Sequence, residues 1–431
     1  MSGVEGNVPH PALKQVFVFR TLSWRVNASA LFIVRVIALI IITIAVLIWR
    51  RPDQAFDPAL WSEEGADVLS SYAECGACAL WQTVNGHLLL VPKLLLLSSF
   101  KVSINNAPAI AYGLALATIC ATVICIAEAP THLRAKYLCA ITTLLIPTGP
   151  ENYAVALYTT WWAGLLVILA LLWDTQRGYR AFRLLLLIVG GLSSPIMILT
   201  GPLFVARALV ERTRSEAVTA ALACCLSTAS FIAAFFSMKT ENVLPVSAEW
   251  VTAGIAKFFG MYTIFGTLNP IVSGCLLLAL LAFLIAVLHQ QIDVYFGLVL
   301  CVLVFSILSS MIRASMIGVS IDALEPFGSG QRYFFYAYIM LSFVLLWLAT
   351  AAGSWLLQLA PSLVLVSALL LSLHTALFAW PVAWFAPLAW RSELADCAAN
   401  SKSKLTIRNS GAYLPMHGKQ CRGLLEGSLI K

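Results

Sequence analysis

Six carboxylates stand close together near the start of a chain that contains few of them. The chain has 431 residues, of which 20 are acidic. Six of these 20 fall within 22 positions, after one long apolar run. They are Asp53, Asp57, Glu63, Glu64, Asp67 and Glu74. Carboxylates can act as general bases or hold cations, so this segment is the strongest candidate for a chemical site. The simpler explanation is that they solvate a loop and neutralise a helix start.

The residues Trp61 to Asp67 predict the start of a helix with Ser62 as its N-cap. In a regular helix Glu63 and Asp67 share a face, because they are four positions apart, whereas Glu64 points elsewhere. We therefore expect Glu63 and Glu64 to have separate roles. One would face a cavity, and the other would cap the helix or bind a cation.

Groups that could complete such a site lie elsewhere in the chain. Arg332 follows Gln331 at the mouth of an apolar run, where a guanidinium can hold a phosphate by two parallel hydrogen bonds. Lys93 is a second phosphate candidate, and His87 is a candidate hydrogen-bond donor. Glu151 interrupts an apolar hairpin, where a carboxylate is costly unless it is wet or paired, so we predict that it binds Arg332 or a ligand. The simpler explanations are snorkelling for the two cations and local hydrogen bonding for the histidine.

The composition predicts a polytopic membrane protein. Hydrophobic residues make up 60% and charged residues 11% of the chain, against about 45–50% and about 25% in soluble domains. A hydrocarbon core of ~30 Å needs about 20 apolar residues per helix, and helices satisfy their own backbone. The apolar runs predict an all-α fold with about 9 to 12 transmembrane helices. The first run, Ala30 to Trp49, is expected to remain as an anchor.

Lysine and arginine collect in the short cytoplasmic loops of membrane proteins. We therefore place the basic connections inside, and the acidic first loop, the segments 238–252 and 312–333 and the tail outside. The basic connections are Lys14 to Arg25, Arg134 with Lys136, Arg177 with Arg180 and Arg183, and Arg207 with Arg212 and Arg214. Arg50 and Arg51 violate the rule. If both 87–100 and 107–127 crossed fully, Arg177 to Arg183 would fall on the wrong face. We therefore expect 87–100, which is short and contains Lys93, to enter the membrane only partway or to lie along its surface.

The chain divides into a helical transmembrane domain, 1–380, whose outer acidic loop covers 50–86, and a small outer tail, 381–431. Cys397 and Cys421 stand in this tail, where an oxidising compartment would permit a disulfide between them. The CxxC pair in the first loop is expected to be a staple as well. A zinc site would need convergent ligands, and thioredoxin-like redox chemistry would need a βαβ context that the sequence lacks.

Several classes of protein lose support. The net charge of +7 is spread over the basic loops, which suits contact with membrane lipid and argues against nucleic acid. The chain contains no Walker A pattern, no GxGxxG after a strand and no HExxH. Internal repeats, which many transporters carry, are not evident.

The order of these motifs resembles the glycosyltransferase-C superfamily. Within it the chain is most similar to the bacterial O-antigen-modifying glucosyltransferases associated with serotype conversion. The matching segments, in chain order, are Asp57-Pro58, Trp61-Ser62-Glu63-Glu64, Gly86-His87 with Pro92-Lys93, Pro147 to Glu151, and Gln331-Arg332-Tyr333-Phe334. The tail departs from the pattern, because many members carry a large soluble domain there.

The resemblance implies a polyprenyl-phosphate sugar as donor, a glycan acceptor on the outer face of the bacterial inner membrane, and inversion at the anomeric carbon. The superfamily's essential acid in the first outer loop carries over to Glu63, Glu64 or Asp57. This chain has Glu63-Glu64 where an acidic pair of the Glu-Asp kind is expected, so which residue is the base stays open.

The expected function is transfer of a hexose, with glucose as the first choice, to a surface polysaccharide such as O-antigen. Glu64 or Glu63 would be the base, and Arg332 and Lys93 would hold the phosphate. The remaining substrate contacts would be Asp57, Asp67, His87, Glu151 and Gln331. The sequence indicates no particular cofactor and leaves a requirement for a divalent cation open. A lipid-carrier glucosyltransferase and a flippase would be functional partners that supply the donor.

Two alternatives remain open from the sequence. A flippase or transporter of lipid-linked sugars would use the same charges to pass a headgroup, and it would place charges in the span centres, where only Arg35 stands out. A non-catalytic partner of polysaccharide assembly would tolerate neutral replacements throughout the first loop.

Overall fold

The computed structural model describes residues 28–237, 247–260, 262, 270–288, 293–316, 320–327, 330–351, 355–378, 390–399, 402–406 and 413–426. Some predictions fall on residues outside the described ones: the basic stretch Lys14 to Arg25, the outer stretches 238–246, 317–319 and 328–329, and the tail residues 381–389, 400–401, 407–412 and 427–431. The chain forms two compact units, residues 1–38 and residues 39–431. In the first unit only the beginning of the first helix is described.

The described chain is helical apart from one hairpin in the tail. The first ten helices are α1 (Ala28–Arg50), α2 (Pro52–Phe56), α3 (Ser70–Cys75), α4 (Leu90–Val102), α5 (Ala107–Glu128), α6 (Lys136–Leu145), α7 (Thr159–Leu171), α8 (Arg180–Gly191), α9 (Ile196–Glu211) and α10 (Arg214–Ser237). The others are α11 (Ala248–Ile255), α12 (Pro270–Leu288), α13 (Val294–Met316), α14 (Phe335–Ala351), α15 (Trp355–Phe378), α16 (Trp390–Ala399) and α17 (Gly418–Glu426). Strands β1 (Lys402–Thr406) and β2 (Tyr413–His417) pair antiparallel between α16 and α17.

Several apolar helices indicate a multi-pass membrane protein. Five helices among the described residues are long and apolar enough to cross a bilayer: Ser29–Arg50, Ile104–Glu128, Arg214–Phe236, Val294–Arg313 and Gln331–Ala351. Shorter apolar helices accompany them. A helix of 13 residues such as α7 is about 20 Å long, less than the ~30 Å of a hydrocarbon core. The 9 to 12 spans therefore stay a prediction, in which the short helices cross together with the irregular segments that adjoin them.

Helices α7 and α14 form the centre of the main core. Their residues are apolar on all sides and nearly all buried, as expected for helices enclosed by others. Gly164 allows them to approach closely, because a Cβ at this position would lie 1.9 Å from the hydroxyl of Tyr336. That hydroxyl hydrogen-bonds to Ser194 Oγ at 2.8 Å. The irregular segment 150–158 before α7 is buried almost throughout, so it can sit among helices without facing lipid.

A second core joins the first loop, α4 and the tail. It includes Trp61 and Val68 of the loop, Leu96 of α4, and Leu394 and Leu424 of the tail. The indole nitrogen of Trp390 donates to the carbonyl of Ile104 at 2.8 Å. A disulfide joins Cys397 of α16 to Cys421 of α17, with 5.9 Å between the Cα atoms, and a second one joins Cys75 to Cys78. The described part of the tail therefore packs on the first loop.

Charged residues collect where α7 ends. Arg183 pairs through Nη2 with Glu216 Oε2 at 2.9 Å, and Arg207 pairs through Nε with the same oxygen at 3.2 Å. The two guanidiniums also donate to the carbonyls of Ala170, Leu171 and Trp173. The last carbonyls of a helix have no partner within it, so these arginines cap α7.

Candidate functional site

The segments that precede α7 and α14 meet the first loop at the opposite end of α7. Here Arg332 Nη1 lies 3.1 Å from Glu63 Oε1 and donates to the hydroxyl of Tyr158 at 2.7 Å. The Tyr158 hydroxyl in turn donates to Glu63, at 3.2 and 3.3 Å from its two oxygens. The side chains of Arg332 and Glu63 are 33% and 25% exposed. A carboxylate, a guanidinium and a phenol therefore meet at a partly open position.

A network of backbone contacts fixes the position of Arg332. Its backbone N–H donates to Glu151 Oε1 at 3.3 Å, and the backbone N–H of Glu151 donates to Gln331 Oε1 at 3.0 Å. Gly149 leaves room for the Gln331 side chain to make its bond to Glu151, because a Cβ at position 149 would lie 2.3 Å from that side chain. Gly330 has φ +74°, a left-handed conformation that glycine adopts readily. The sequence-predicted residues Glu151, Gln331 and Arg332 are thus brought together.

Arg50, the last residue of α1, and Arg51, which follows it, bind the segment before α7. Arg51 forms a two-pronged ion pair with Asp53, at 2.8 and 2.9 Å, and donates through Nη1 to the carbonyls of Pro150 and Tyr153 at 3.0 Å. Arg50 donates to the carbonyls of Leu144 and Ile146 at 3.1 Å, and to the carbonyl of Thr148. Both arginines are buried. They act as structural ties, which explains why they can violate the charge rule for loops.

Glu64 points away from Glu63 and into the protein. Its Oε2 accepts from the backbone N–H of Trp61 and its Oε1 from that of Leu157, both at 2.8 Å. The bond to Trp61, three residues earlier, is one arm of a capping box. Glu64 is only 2% exposed, and burial raises the pKa of its carboxyl to about 7. This geometry favours a structural role for Glu64.

The helix after Glu63 differs from the regular one predicted. Residues Glu64–Leu69 form a π-helix. Ser62 was predicted to cap the start of this helix, but the side chain that accepts a backbone N–H there, that of Trp61, belongs to Glu64. Burial raises the pKa of Asp67, and the charge of Glu63 raises it further. Asp67 therefore lies near Glu63, although it does not join the pair with Arg332.

The other predicted residues make contacts with other parts of the chain. Asp57 ends α2 and its backbone N–H bonds to the carbonyl of Asp53 at 3.0 Å. His87 closes a turn with Val84, and burial lowers the pKa of its imidazole to about 4, with a smaller contribution from Arg313. Lys93 is buried, and its Nζ donates to the carbonyls of Leu80 and Gln82.

The site suits chemistry that needs a base beside a cation. Burial raises the pKa of Glu151, whereas Glu63 keeps some contact with solvent next to a guanidinium. Within the described ranges no group of three or more His, Cys, Asp or Glu residues is arranged to hold a metal ion. A requirement for a divalent cation stays untested.

Sequence reasoning missed two members of the site. Tyr158 was not proposed, because a tyrosine next to the Trp161-Trp162 pair is typical of an interfacial belt and carries no signal of its own. Asp53 was counted among the acids, but its pairing with Arg51 was not foreseen. One sign of that pair was available: Arg51 violates the positive-inside rule, and an acid, Asp53, follows it by two positions.

Comparison with protein-family models, with curated proteins and with solved structures finds no match for this chain. A functional assignment must therefore depend on the residues and geometry described above.

Proposed function

We propose that this chain is an integral membrane glycosyltransferase that moves a hexose, with glucose as the first choice, from a polyprenyl-phosphate sugar to a surface polysaccharide such as O-antigen. The observation that carries the proposal is the triad of Glu63, Tyr158 and Arg332. These residues come from three distant parts of the chain and meet within 3.3 Å. They combine the base and the phosphate-binding cation that this transfer needs.

In the proposed reaction Glu63 takes the proton from the acceptor hydroxyl as its oxygen bonds to the anomeric carbon. The bond between that carbon and the phosphate oxygen breaks, and its electron pair leaves with the polyprenyl phosphate. Arg332 stabilises the charge on this leaving group. Attack and departure occur on opposite faces of the sugar, so the configuration inverts. Tyr158 orients the Glu63 carboxylate through its hydroxyl.

Glu63 is a better base than Glu64 on the geometry. Both oxygens of Glu64 accept backbone N–H groups, and a buried carboxylate that anchors two backbone segments is poorly placed to receive a proton from a substrate. Within the described part of the molecule, Glu63 is hydrogen-bonded only to the side chains of Tyr158 and Arg332. A ligand can displace Glu63 from these side chains. Glu151 and Gln331 then position Arg332.

The charges at the two ends of α7 support an orientation. Arg183 and Arg207 lie at its C-terminal end with the basic connections predicted to be inside. Tyr158 of the triad precedes its first residue. By the positive-inside rule the triad then faces outward, which for a bacterial inner membrane is the periplasmic side. A donor supplied there would require a lipid-carrier glucosyltransferase and a flippase.

The test measures transfer of labelled sugar from a polyprenyl-phosphate donor to acceptor glycan in membranes. The variants are Glu63→Gln, Arg332→Ala and Glu64→Gln, with abundance matched to wild type. We expect Glu63→Gln and Arg332→Ala to lower turnover by at least about a hundredfold, the lower range for loss of a general base. Glu64→Gln should retain more turnover per folded molecule than either of them.

Two outcomes would count against the proposal. If Glu63→Gln transfers sugar at the wild-type rate, the triad is not the catalytic site. If wild type transfers none of the tested hexoses but moves lipid-linked sugar between leaflets of a vesicle, the alternative of a flippase replaces the enzyme.

A further inference from the structure

A polar pocket lies beside the triad and uses residues that the proposed reaction leaves unassigned. Its volume is about 140 Å³, on the scale of one sugar ring. The walls come from the π-helix, α3, the turn after the Cys75–Cys78 disulfide, and α4. The lining residues include Asp67, Ser71, Ala79, Gln82, Thr83 and Lys93.

The pocket mixes hydrogen-bond acceptors with donors. In the described ranges the carboxylate of Asp67 has no hydrogen-bonding partner, so it can accept hydrogen bonds from a ligand. The hydroxyls of Ser71 and Thr83 can both donate and accept. Lys93 Nζ already donates to the carbonyls of Leu80 and Gln82, which fixes the cation at the wall.

The location links the pocket to the triad. Asp67 lines it, and the charge of Glu63 acts on Asp67. Trp81 lies between the lining residues Ala79 and Gln82 and is 68% exposed. An exposed indole offers an apolar face to a ligand, and that of Trp81 adjoins a lining residue in the chain.

We propose that this pocket binds a neutral sugar unit of the acceptor glycan, next to the residue that receives the transferred hexose. The inference deepens the proposed function and rests on it for the identity of the ligand. One acid and one lysine in the wall balance each other's charge. A phosphate would meet the Asp67 carboxylate, whereas sugar hydroxyls satisfy both the carboxylate and the side-chain hydroxyls. The charge balance therefore favours a neutral polyol over an anion.

The test fills the pocket without changing its charges. Ser71→Trp places an indole in the pocket, and Glu74→Trp places one at an exposed position of the same helix that does not line it. Initial rates are measured in nanodiscs with varied acceptor glycan and varied donor. We expect Ser71→Trp to raise the KM for acceptor at least about tenfold, equivalent to one or two lost hydrogen bonds. Its KM for donor should stay unchanged, and Glu74→Trp should match wild type.

A second readout does not need transfer. Binding of a panel of methyl hexosides to wild type, Ser71→Trp and Asp67→Asn is measured by saturation-transfer NMR in the same nanodiscs. Binding by wild type that is lost in both variants supports the pocket, even if no donor is turned over and the proposed function fails. If wild type transfers sugar and Ser71→Trp has the same KM for acceptor as Glu74→Trp, the proposal that the pocket binds acceptor is wrong, and the proposed function is unaffected. Equal hexoside binding by all three proteins also overturns it.

Discussion

Two adjacent glutamates in this molecule have different surroundings. The side chain of Glu63 is 25% exposed and meets Arg332, whereas Glu64 is 2% exposed and holds two backbone N–H groups. Neighbouring positions on a helix point in different directions, so one residue can serve a ligand while the next supports the fold. Removing the charge of one should therefore affect activity, and removing the charge of the other should affect stability.

Glu64→Gln should lower the stability of the protein in a pH-dependent way. Glutamine offers one acceptor oxygen, so either the N–H of Trp61 or that of Leu157 loses its partner, at a cost of about 1–3 kcal/mol. The pKa of Glu64 rises from 4.5 to about 7 on folding. The folded state thus holds this proton more tightly, and wild type loses stability as the pH rises through that window, by roughly 3 kcal/mol at most.

The glutamine variant lacks this titration. The difference in thermal unfolding midpoint between wild type and Glu64→Gln should therefore narrow from pH 4.5 to pH 7.5, measured in detergent micelles. Glu63→Gln retains Glu64 and serves as the control. A difference that is constant or widens with pH would show that Glu64 does not titrate in this window.

At the scale of one residue, the sequence predicted most of the triad's surroundings. Glu63, Glu151 and Arg332 were identified because charges next to apolar runs are costly and need a reason. The role of Glu64 could not be assigned in the same way. Its second partner is the N–H of Leu157, 93 positions away, and no local pattern reports a contact at that distance.

Short irregular elements position the site more than the long helices do. The 3₁₀ segments Pro150–Asn152 and Gln331–Phe334 lie against each other through the bond between Glu151 N and Gln331 Oε1. Their approach depends on the absence of a side chain at Gly149. The backbone N–H of Gly149 also donates to the carbonyl of Pro326 at 2.6 Å, a second contact between the chain around the first segment and the chain that precedes the second.

Gly149→Ala should reduce sugar transfer. The new Cβ would lie 2.3 Å from the amide group of Gln331, which is buried and must move. Its bond to Glu151 is then lost, and Arg332 shifts. We expect turnover to fall at least about tenfold, since small misplacements of catalytic groups can cost up to about a hundredfold.

Gly113→Ala is the matched control for this substitution. A Cβ at Gly113, within α5, meets nothing within 4 Å. Transfer by this variant should equal that of wild type, and its thermal midpoint should be unchanged or slightly higher, because alanine favours a helix over glycine. Equal loss of transfer in both variants would exclude a specific effect at Gly149.

Element boundaries were less predictable than element types. Most of the described part of the apolar runs is helical, because length and hydropathy act locally, although residues 153–158 before α7 are irregular. The π-helix at Glu64–Leu69 was predicted as a regular helix, because the order of polar and apolar residues does not distinguish the two in so short a segment. The partial insertion predicted for 87–100 stays a prediction. Helix α4 packs both with the first loop and with α5.

At the scale of the whole molecule, one helix is as long as a membrane is thick. Helix α5 has 22 residues, or about 33 Å, which matches a ~30 Å hydrocarbon core. Asn105, just before it, accepts a hydrogen bond from Arg391 of the tail at 3.3 Å. Beyond its other end, the carbonyl of Pro130 accepts from the backbone N–H of Asp174 at 2.7 Å. The tail and the connection near Asp174 are thus tied to opposite ends of one candidate span.

Cysteines introduced at these two places should be labelled from opposite sides of the membrane. In a variant whose free cysteines are serine, Asn105→Cys should react with an impermeant maleimide in intact spheroplasts. Gln176→Cys should react only after lysis, because it lies among the basic residues expected inside. Labelling of both from the same side would contradict the orientation on which the proposed function depends.

The ion pair between Glu63 and Arg332 has a kinetic consequence. Without substrate, the base is held by the cation that would grip the donor's phosphate. Under the proposed function, the donor must displace Glu63 from Arg332 before the carboxylate is free to accept a proton. The reaction would then follow a compulsory order, donor first and acceptor second. Released polyprenyl phosphate, which binds the same arginine, would be a competitive inhibitor against the donor.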